Sequence, residues 1–286
     1  MSKKSKISED LIAQFCGITG ASVKSAKKYL GDHKRIDSAI DAYYTEGGES
    51  SSSRVTPNAV ADPQRLNQVY DVYKDSDGDE ITVGGALKWF EALGVDPEDV
   101  VLLPLAYELK SPTVGSFPRK PWIDGWKSLG CDSIPTMKEA LPRLRDKLAN
   151  NRLYFTSVYN YTFEFAKTGG QRSIGVETAI AFWGLLIPHG LTGPALAHDS
   201  DEGTDDDDDD EPMGAEEGWQ PKFTDWWFEF LTTKGGKGVS KDTWAMFLDF
   251  VRTIDSEFKN HDYDAAWPSS IDDFVMYVRK EKLGFA

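Results

Sequence analysis

Asp79–Leu93 reads DEITVGGALKWFEAL, and its grammar returns three times: VGSFPRKPWIDGWKSL at Val114–Leu129, QRSIGVETAIAFWGLL at Gln171–Leu186 and GKGVSKDTWAMFLDF at Gly236–Phe250. Each joins a short extended step, begun at Ile81, Phe117, Ile174 or Val239, to a helical pattern whose aromatics fall five to nine residues later. Apolar-periodic segments that predict a helix precede each one: Arg65–Lys74, Asp96–Lys110, Phe155–Lys167 and Phe223–Thr233. Helix, loop, extended step, helix, repeated four times, is the frame of two EF-hand pairs. The sequence therefore predicts an all-α protein.

The frame does not carry calcium chemistry with it. A working loop needs oxygen ligands at positions 1, 3 and 5, glycine at 6 and a bidentate glutamate at 12. DSDGDE at Asp75–Glu80 supplies acids, but counting from Asp75 puts Glu80 at position 6 and Ala86 at position 12. Counting from Lys74 loses the first ligand and ends on Gly85. The other three loops match less well, so the sequence predicts EF-hand geometry that is degenerate, with no metal and no cofactor. A calcium-binding EF-hand protein or a ubiquitin-binding adaptor stands as the alternative class.

Residues 7–46 read as a separate three-helix unit. Ser8 can cap a helix carrying Leu11, Ile12 and Phe15; Val23, Ala26, Tyr29 and Leu30 share one face of a second; Ile36, Ala39, Ile40 and Tyr43 recur at helical spacing in a third. GITGA (Gly17–Ala21) and DAYY (Asp41–Tyr44) could form a small docking patch or simply a mini-core. Residues 47–62, rich in Gly, Ser and Pro, read as a flexible linker, and 63–284 as the larger helical domain.

The 286 residues carry a formal charge of −15, unevenly spread. Asp199–Glu217 holds 12 acidic residues and no Lys or Arg, which leaves only −3 to the rest of the chain. That tract repels itself and has little to bury, so about 195–218 is expected to be a disordered insertion. With no basic cluster to neutralise phosphates, nucleic acid is not an expected partner. No 18-residue apolar run exists, and Met1–Lys6 is too short and polar for a signal peptide; the expectation is no membrane association. Two cysteines without CxxC spacing, Cys16 and Cys131, fit a reducing compartment. The four histidines show no metal-ligand spacing. Cys131 has Asp132 beside it, which raises a thiol pKa, so a thioester-forming ligase is a weak rival.

Two further stretches hold more chemistry. Leu102, Leu105, Ala106 and Leu109 follow i, i+3, i+4, i+7 spacing, and Pro104 within them is expected to bend the helix. In DYDAAWPSSIDDF (Asp262–Phe274), Pro268 fits the first helical position, placing Asp272 and Asp273 near a helix start; Asp242 lies in another first turn, with Ser240 as its cap. Helix-start stabilisation accounts for the acids. It leaves Ala266, a small residue beside exposed carboxylates, unexplained.

LGCDSI (Leu129–Ile134), TFEFAK (Thr162–Lys167), AIAFW (Ala179–Trp183), SKDTWAMFLDF (Ser240–Phe250) and AWPSSIDDF (Ala266–Phe274), in this order, resemble the defective-in-cullin-neddylation family, and the likeness runs through nearly the whole chain after residue 62. The first 45 residues look like the ubiquitin-associated (UBA) domain of many members. The C-terminal region is similar to their potentiating-neddylation domain. The resemblance implies a non-enzymatic co-ligase with no catalytic residues, most simply a monomer, found in nucleus and cytoplasm. It implies that Asp242, Ala266 and Asp272 receive the winged-helix C-terminal region of a cullin. It also implies a pocket for the acetylated N-terminal methionine of the neddylation conjugating enzyme, formed by Leu102, Leu105, Ala106, Leu109, Phe117, Phe165, Phe182 and Leu185. A RING-box protein would share the complex, and Gly17, Ile18 and Tyr43 would meet ubiquitin. Three positions depart from the family's pattern: Ala86 and Pro104 stand where larger aliphatics are expected, and Val114 stands where a polar side chain would help at the pocket rim.

Overall fold

A computed structural model describes residues 11, 23–33, 35, 39, 61–167, 169–199, 218–233, 236 and 238–285. The chain divides into two compact units, Met1–Ala59 and Val60–Ala286. In the first, helix α1 spans Val23–Asp32, with Ala26 and Tyr29 buried on the face that the sequence predicts. Gly17, Ile18 and Tyr43 lie outside the described residues.

Among its described residues, the second unit is all-α apart from two minimal antiparallel ladders. Helix α2 (Pro63–Tyr73), strand β1 (Glu80–Ile81) and helix α3 (Val83–Leu93) are followed by α4 (Leu102–Glu108), β2 (Phe117–Pro118) and α5 (Arg119–Ser128). Strands β1 and β2 pair through Ile81 and Phe117. After the long α6 (Ile134–Asn150) the design repeats: α7 (Arg152–Ala166), β3 (Ser173–Gly175), α8 (Val176–Gly190), then α9 (Pro221–Thr233), β4 (Gly238–Ser240) and α10 (Lys241–Thr253). Strands β3 and β4 pair through Ile174 and Val239. All four extended steps chosen from sequence are thus buried partners in the two ladders that define paired EF-hand frames. Helix α11 (Ser269–Tyr277) closes the unit and runs into a wider turn at Val278–Lys282.

Each pair has its own aromatic core. Trp89, Trp122, Trp126 and Tyr70 fill the first; Trp183, Trp227, Trp244, Tyr159 and Phe247 fill the second. Helix α6 joins them, giving Met137, Ala140, Leu141 and Leu144 to the first core and Leu148 to the second. It opens with a Ser133–Thr136 capping box that encloses Pro135, a strong start signal. One buried tyrosine hydroxyl serves each pair. Tyr70 donates to the Phe117 carbonyl (2.7 Å) and accepts from the Ile81 N–H (3.2 Å), pinning β1 to β2; burial pushes its pKa up to about 12. Tyr159 donates to the Trp244 carbonyl and accepts from Trp183 Nε1, both at 2.7 Å, while Trp244 Nε1 donates back to the Tyr159 carbonyl (2.9 Å).

In the first loop the oxygens are turned toward the chain's own donors. The Lys74 ammonium donates to the carbonyls of Asp75 and Gly78 (3.4 and 3.0 Å). Asp75 accepts from Thr82 Oγ1, and Asp79 lies on Arg119, which also holds Asp71 and Asn67. Among the described residues no group of three or more His, Cys, Asp or Glu side chains is placed to hold a metal ion. Nor is any helix long and apolar enough to cross a membrane.

Several expectations are corrected. The helix predicted over Asp96–Lys110 is only Leu102–Glu108: Asp96 and Asp99 accept from the backbone N–H groups of Glu98 and Val101, and these local turns compete with helix. Pro104 sits in the first turn of that helix, where N–H groups have no helical acceptor anyway, so its missing donor removes no helical bond. Pro268 is the cap residue rather than the first helical one. The linker ends before residue 61, since Ala61 is buried and Asp62 caps α2. The insertion begins later than expected: Pro194–Leu196 is a 3₁₀ turn with Ala195 and Leu196 buried, and Asp199 is held by Arg152 at 2.5 Å. Residues 200–217 lie outside the described residues.

Replacing Tyr159 by Phe should strand the buried Trp183 N–H, while the Trp244 carbonyl keeps its acceptor role within α10. A loss of roughly 1–3 kcal/mol for the stranded buried group is expected, read as a lower midpoint in urea unfolding.

Candidate functional site

Two surfaces of the second unit are candidate sites. The first is a cavity of about 170 Å³ opening between the two pairs. Val83, Ala86, Leu87 and Phe90 of α3 form one wall, Leu102, Leu103 and Ala106 of α4 the floor, and Phe165 of α7 with Phe182 and Leu185 of α8 the opposite wall. Phe117, Pro97, Asp99 and the Val114–Gly115 turn complete it. Gly115 has φ +76, and a Cβ there would lie 2.7 Å from Val83 Cγ2, so this turn closes against α3 only as glycine. Val83, Leu87 and Val114, exposed by 58, 49 and 57%, make an apolar rim; single exposed apolar residues are ordinary, but three around one opening mark a binding mouth.

Asp99 is the one ionisable residue of the lining. Burial alone would raise its pKa, but hydrogen bonds from Arg145 (Nη2 to Oδ2, 2.5 Å) and the Val101 N–H (2.9 Å) prevail and hold it below the usual aspartate value. The carboxylate is therefore spent on the wall, not offered to a ligand.

Of the eight residues implied for this pocket, Leu102, Ala106, Phe117, Phe165, Phe182 and Leu185 line it. Leu105 and Leu109 do not. Both are fully buried in the first aromatic core, with Leu109 packed against the Cα of Gly125, where even a Cβ would meet its side chain at 2.7 Å. Helix α4 lies between two cores and the cavity, so its apolar stripe is divided among all three. Of the three positions expected to hold other residues, Ala86 and Val114 lie on the lining and Pro104 does not.

The second surface is acidic. Ser240 caps α10 by accepting from the Thr243 N–H (3.0 Å), and Asp242 in that first turn is exposed. Its neighbour Lys241 is drawn away to Glu164 (2.9 Å). The starts of α10 and α11 meet, with Thr243 Oγ1 3.5 Å from Ser270 Oγ, so Asp242 and Asp272 belong to one edge. Between them the Asp262–Trp267 loop leaves Ala266 exposed, while the Trp267 ring turns inward against Phe250 and His261. Asp272 is only 26% exposed, its Oδ1 2.8 Å from Nε2 of the buried His261. Sequence reasoning missed His261; its spacing from Asp272 carries no periodic signal, and a loop places it.

Cys131 is buried, with its Sγ 3.3 Å from the Thr136 carbonyl. Its pKa is pushed up to about 11, chiefly by burial, with Asp132 only a lesser contributor.

The fold and these surfaces define a helical binding module of two paired helix–loop–helix units. A family model described as "Cullin binding" matches residues 136–277, and one described as "UBA-like domain" matches 9–50. Among curated relatives, "Defective in cullin neddylation protein 1" of Cryptococcus neoformans is 40% identical over 96% of this chain and 95% of its own. The protein of the same name from Mycosarcoma maydis is 36% identical over 95 and 94%, and "DCN1-like protein 3" of Rattus norvegicus 31% over 87 and 74%. The chain belongs to the defective-in-cullin-neddylation family.

Because its thiol stays protonated until pH approaches about 11, Cys131 should resist iodoacetamide at pH 8 in the folded chain and react on unfolding. Peptide mass spectrometry reads the difference; rapid native labelling would refute it.

Proposed function

We propose that this chain promotes cullin neddylation as a scaffold, holding a cullin C-terminal region at the Asp242–Ala266–Asp272 edge and the acetylated N-terminal methionine of the conjugating enzyme in the apolar cavity. The observation that carries the reading is the cavity itself. Its walls are apolar, its one carboxylate is already paired, and about 170 Å³ compares with the roughly 150 Å³ that accepts a benzene. A flexible thioether suits such a slot, and acetylation removes an ammonium that would be costly to bury. At the other surface, the exposed Asp242 and the half-buried Asp272 beside a bare alanine suit a long basic side chain; complementary charge fixes orientation and speeds encounter.

No side chain of this protein needs to react. Two partners held on one body gain effective concentration, and the thioester is brought toward the acceptor lysine by proximity. A RING-box protein would complete the assembly. The first unit, through Gly17, Ile18 and Tyr43, would add a ubiquitin contact, with the complex acting in nucleus and cytoplasm.

The decisive experiment mixes full-length chain, charged conjugating enzyme and cullin–RING-box complex, and follows modifier transfer by gel; no acceleration would sink the proposal. Asp242→Lys should weaken cullin binding by about tenfold or more while leaving the melting temperature near wild type, measured by calorimetry. Leu102→Glu should abolish saturable binding of an acetyl-methionine peptide in fluorescence polarisation and leave cullin affinity unchanged. The unacetylated peptide should bind the wild type more weakly.

A further inference from the structure

Asp242 and Asp272 occupy equivalent first turns but are held differently. Asp242 is exposed, whereas Asp272 is half-buried with one oxygen on His261 Nε2 at 2.8 Å. The His261 side chain is 1% exposed. Its ring is enclosed by Tyr263 edge-on (4.7 Å), Trp267 (5.7 Å) and Phe250 edge-on (5.9 Å). A carboxylate oxygen only accepts, so Nε2 is the donor.

We infer that His261 is the positioning residue of the acidic edge: its Nε2–H fixes the Asp272 carboxylate so that the second oxygen stands ready for a basic side chain of the cullin. This rests on the reading of Asp272 given above and assigns a role to a residue outside it. A free aspartate must be immobilised when a partner arrives; one already bound to an aromatic-walled imidazole has met that cost during folding. Swinging Asp272 away would strand a buried N–H, so the set rotamer resists displacement. Trp267, which follows the exposed Ala266, rests on the same imidazole, so one ring supports two members of the edge.

The test is calorimetric titration of full-length variants with the cullin C-terminal region. His261→Phe keeps an aromatic ring but removes the donor, while His261→Gln keeps a donor near the Nε2 position. The Phe variant should bind about three- to tenfold more weakly, and the Gln variant should recover to within about twofold of wild type. In an Asp272→Ala background, which leaves the donor no side-chain oxygen to hold, His261→Phe should cost nothing further. Should the Phe variant fail to fold, His261→Leu provides a second donorless side chain. Wild-type or tighter binding by a folded donorless variant, or an equal loss on the Asp272→Ala background, overturns the inference. If Asp272→Ala is itself without effect, the acidic-edge reading fails and takes this inference with it. A weakened Asp272→Ala beside an inert His261→Phe removes the inference alone.

Discussion

The stack of Trp183, Trp244 and Tyr159 is the constraint on which the larger unit depends. Trp183 and Trp244 lie nearly parallel with centroids 4.8 Å apart, and Tyr159 stacks on Trp244 at 4.7 Å. Three hydrogen bonds link the same residues, so α7, α8 and α10 are fixed in register as well as in contact. Close packing alone tolerates some repacking; a polar network sealed inside it does not, since a misplaced ring would leave buried N–H and C=O groups unpaired. Trp183 directly follows Phe182 of the cavity wall, and Trp244 stands two residues beyond Asp242. One buried cluster therefore holds both candidate surfaces on a single body, as a scaffold that acts by proximity requires.

Elsewhere the chain supplies cations where an EF-hand would recruit one. Lys74 sits against the carbonyls of the first loop, and Arg119 gathers Asp71 and Asp79 while lying over the Tyr70 ring at 4.4 Å. Its pKa is raised, first by the Asp79 hydrogen bond. Exposed pairs of this kind contribute modestly each. Their value here is geometric, since they hold a loop that its sequence would otherwise leave as clustered negative charge.

How much of the site was legible varies with the residue. The ladder residues Ile81, Phe117, Ile174 and Val239 could be read because each interrupts a helical period with an apolar residue that must be buried. Asp242 could be placed because Ser240 announces a helix start. The short α4 defeated periodicity: with a core on each side and a cavity above, its apolar positions are buried on more than one face, only Leu102 and Tyr107 in part, and spacing does not say against what. Leu105 and Leu109 were assigned to the wrong neighbour for that reason, and Val83, Leu87 and Leu103 were passed over. His261 was missed because a histidine in a loop has no period, and its partner is found only once α11 has docked.

Sequence alone marked the helices and extended steps of the four helix–loop–helix units, though not α6 or the short extent of α4; it also showed that calcium ligands are misplaced and which family's words the chain uses. These are properties of neighbours along the chain: spacing, caps and local charge. The tertiary structure decided which face of α4 meets the cavity, that Asp99 is committed to Arg145, and that one oxygen of Asp272 belongs to a buried imidazole. Those outcomes depend on pairs 11 to 46 residues apart, whose meeting is set by how aromatic cores pack rather than by any local preference.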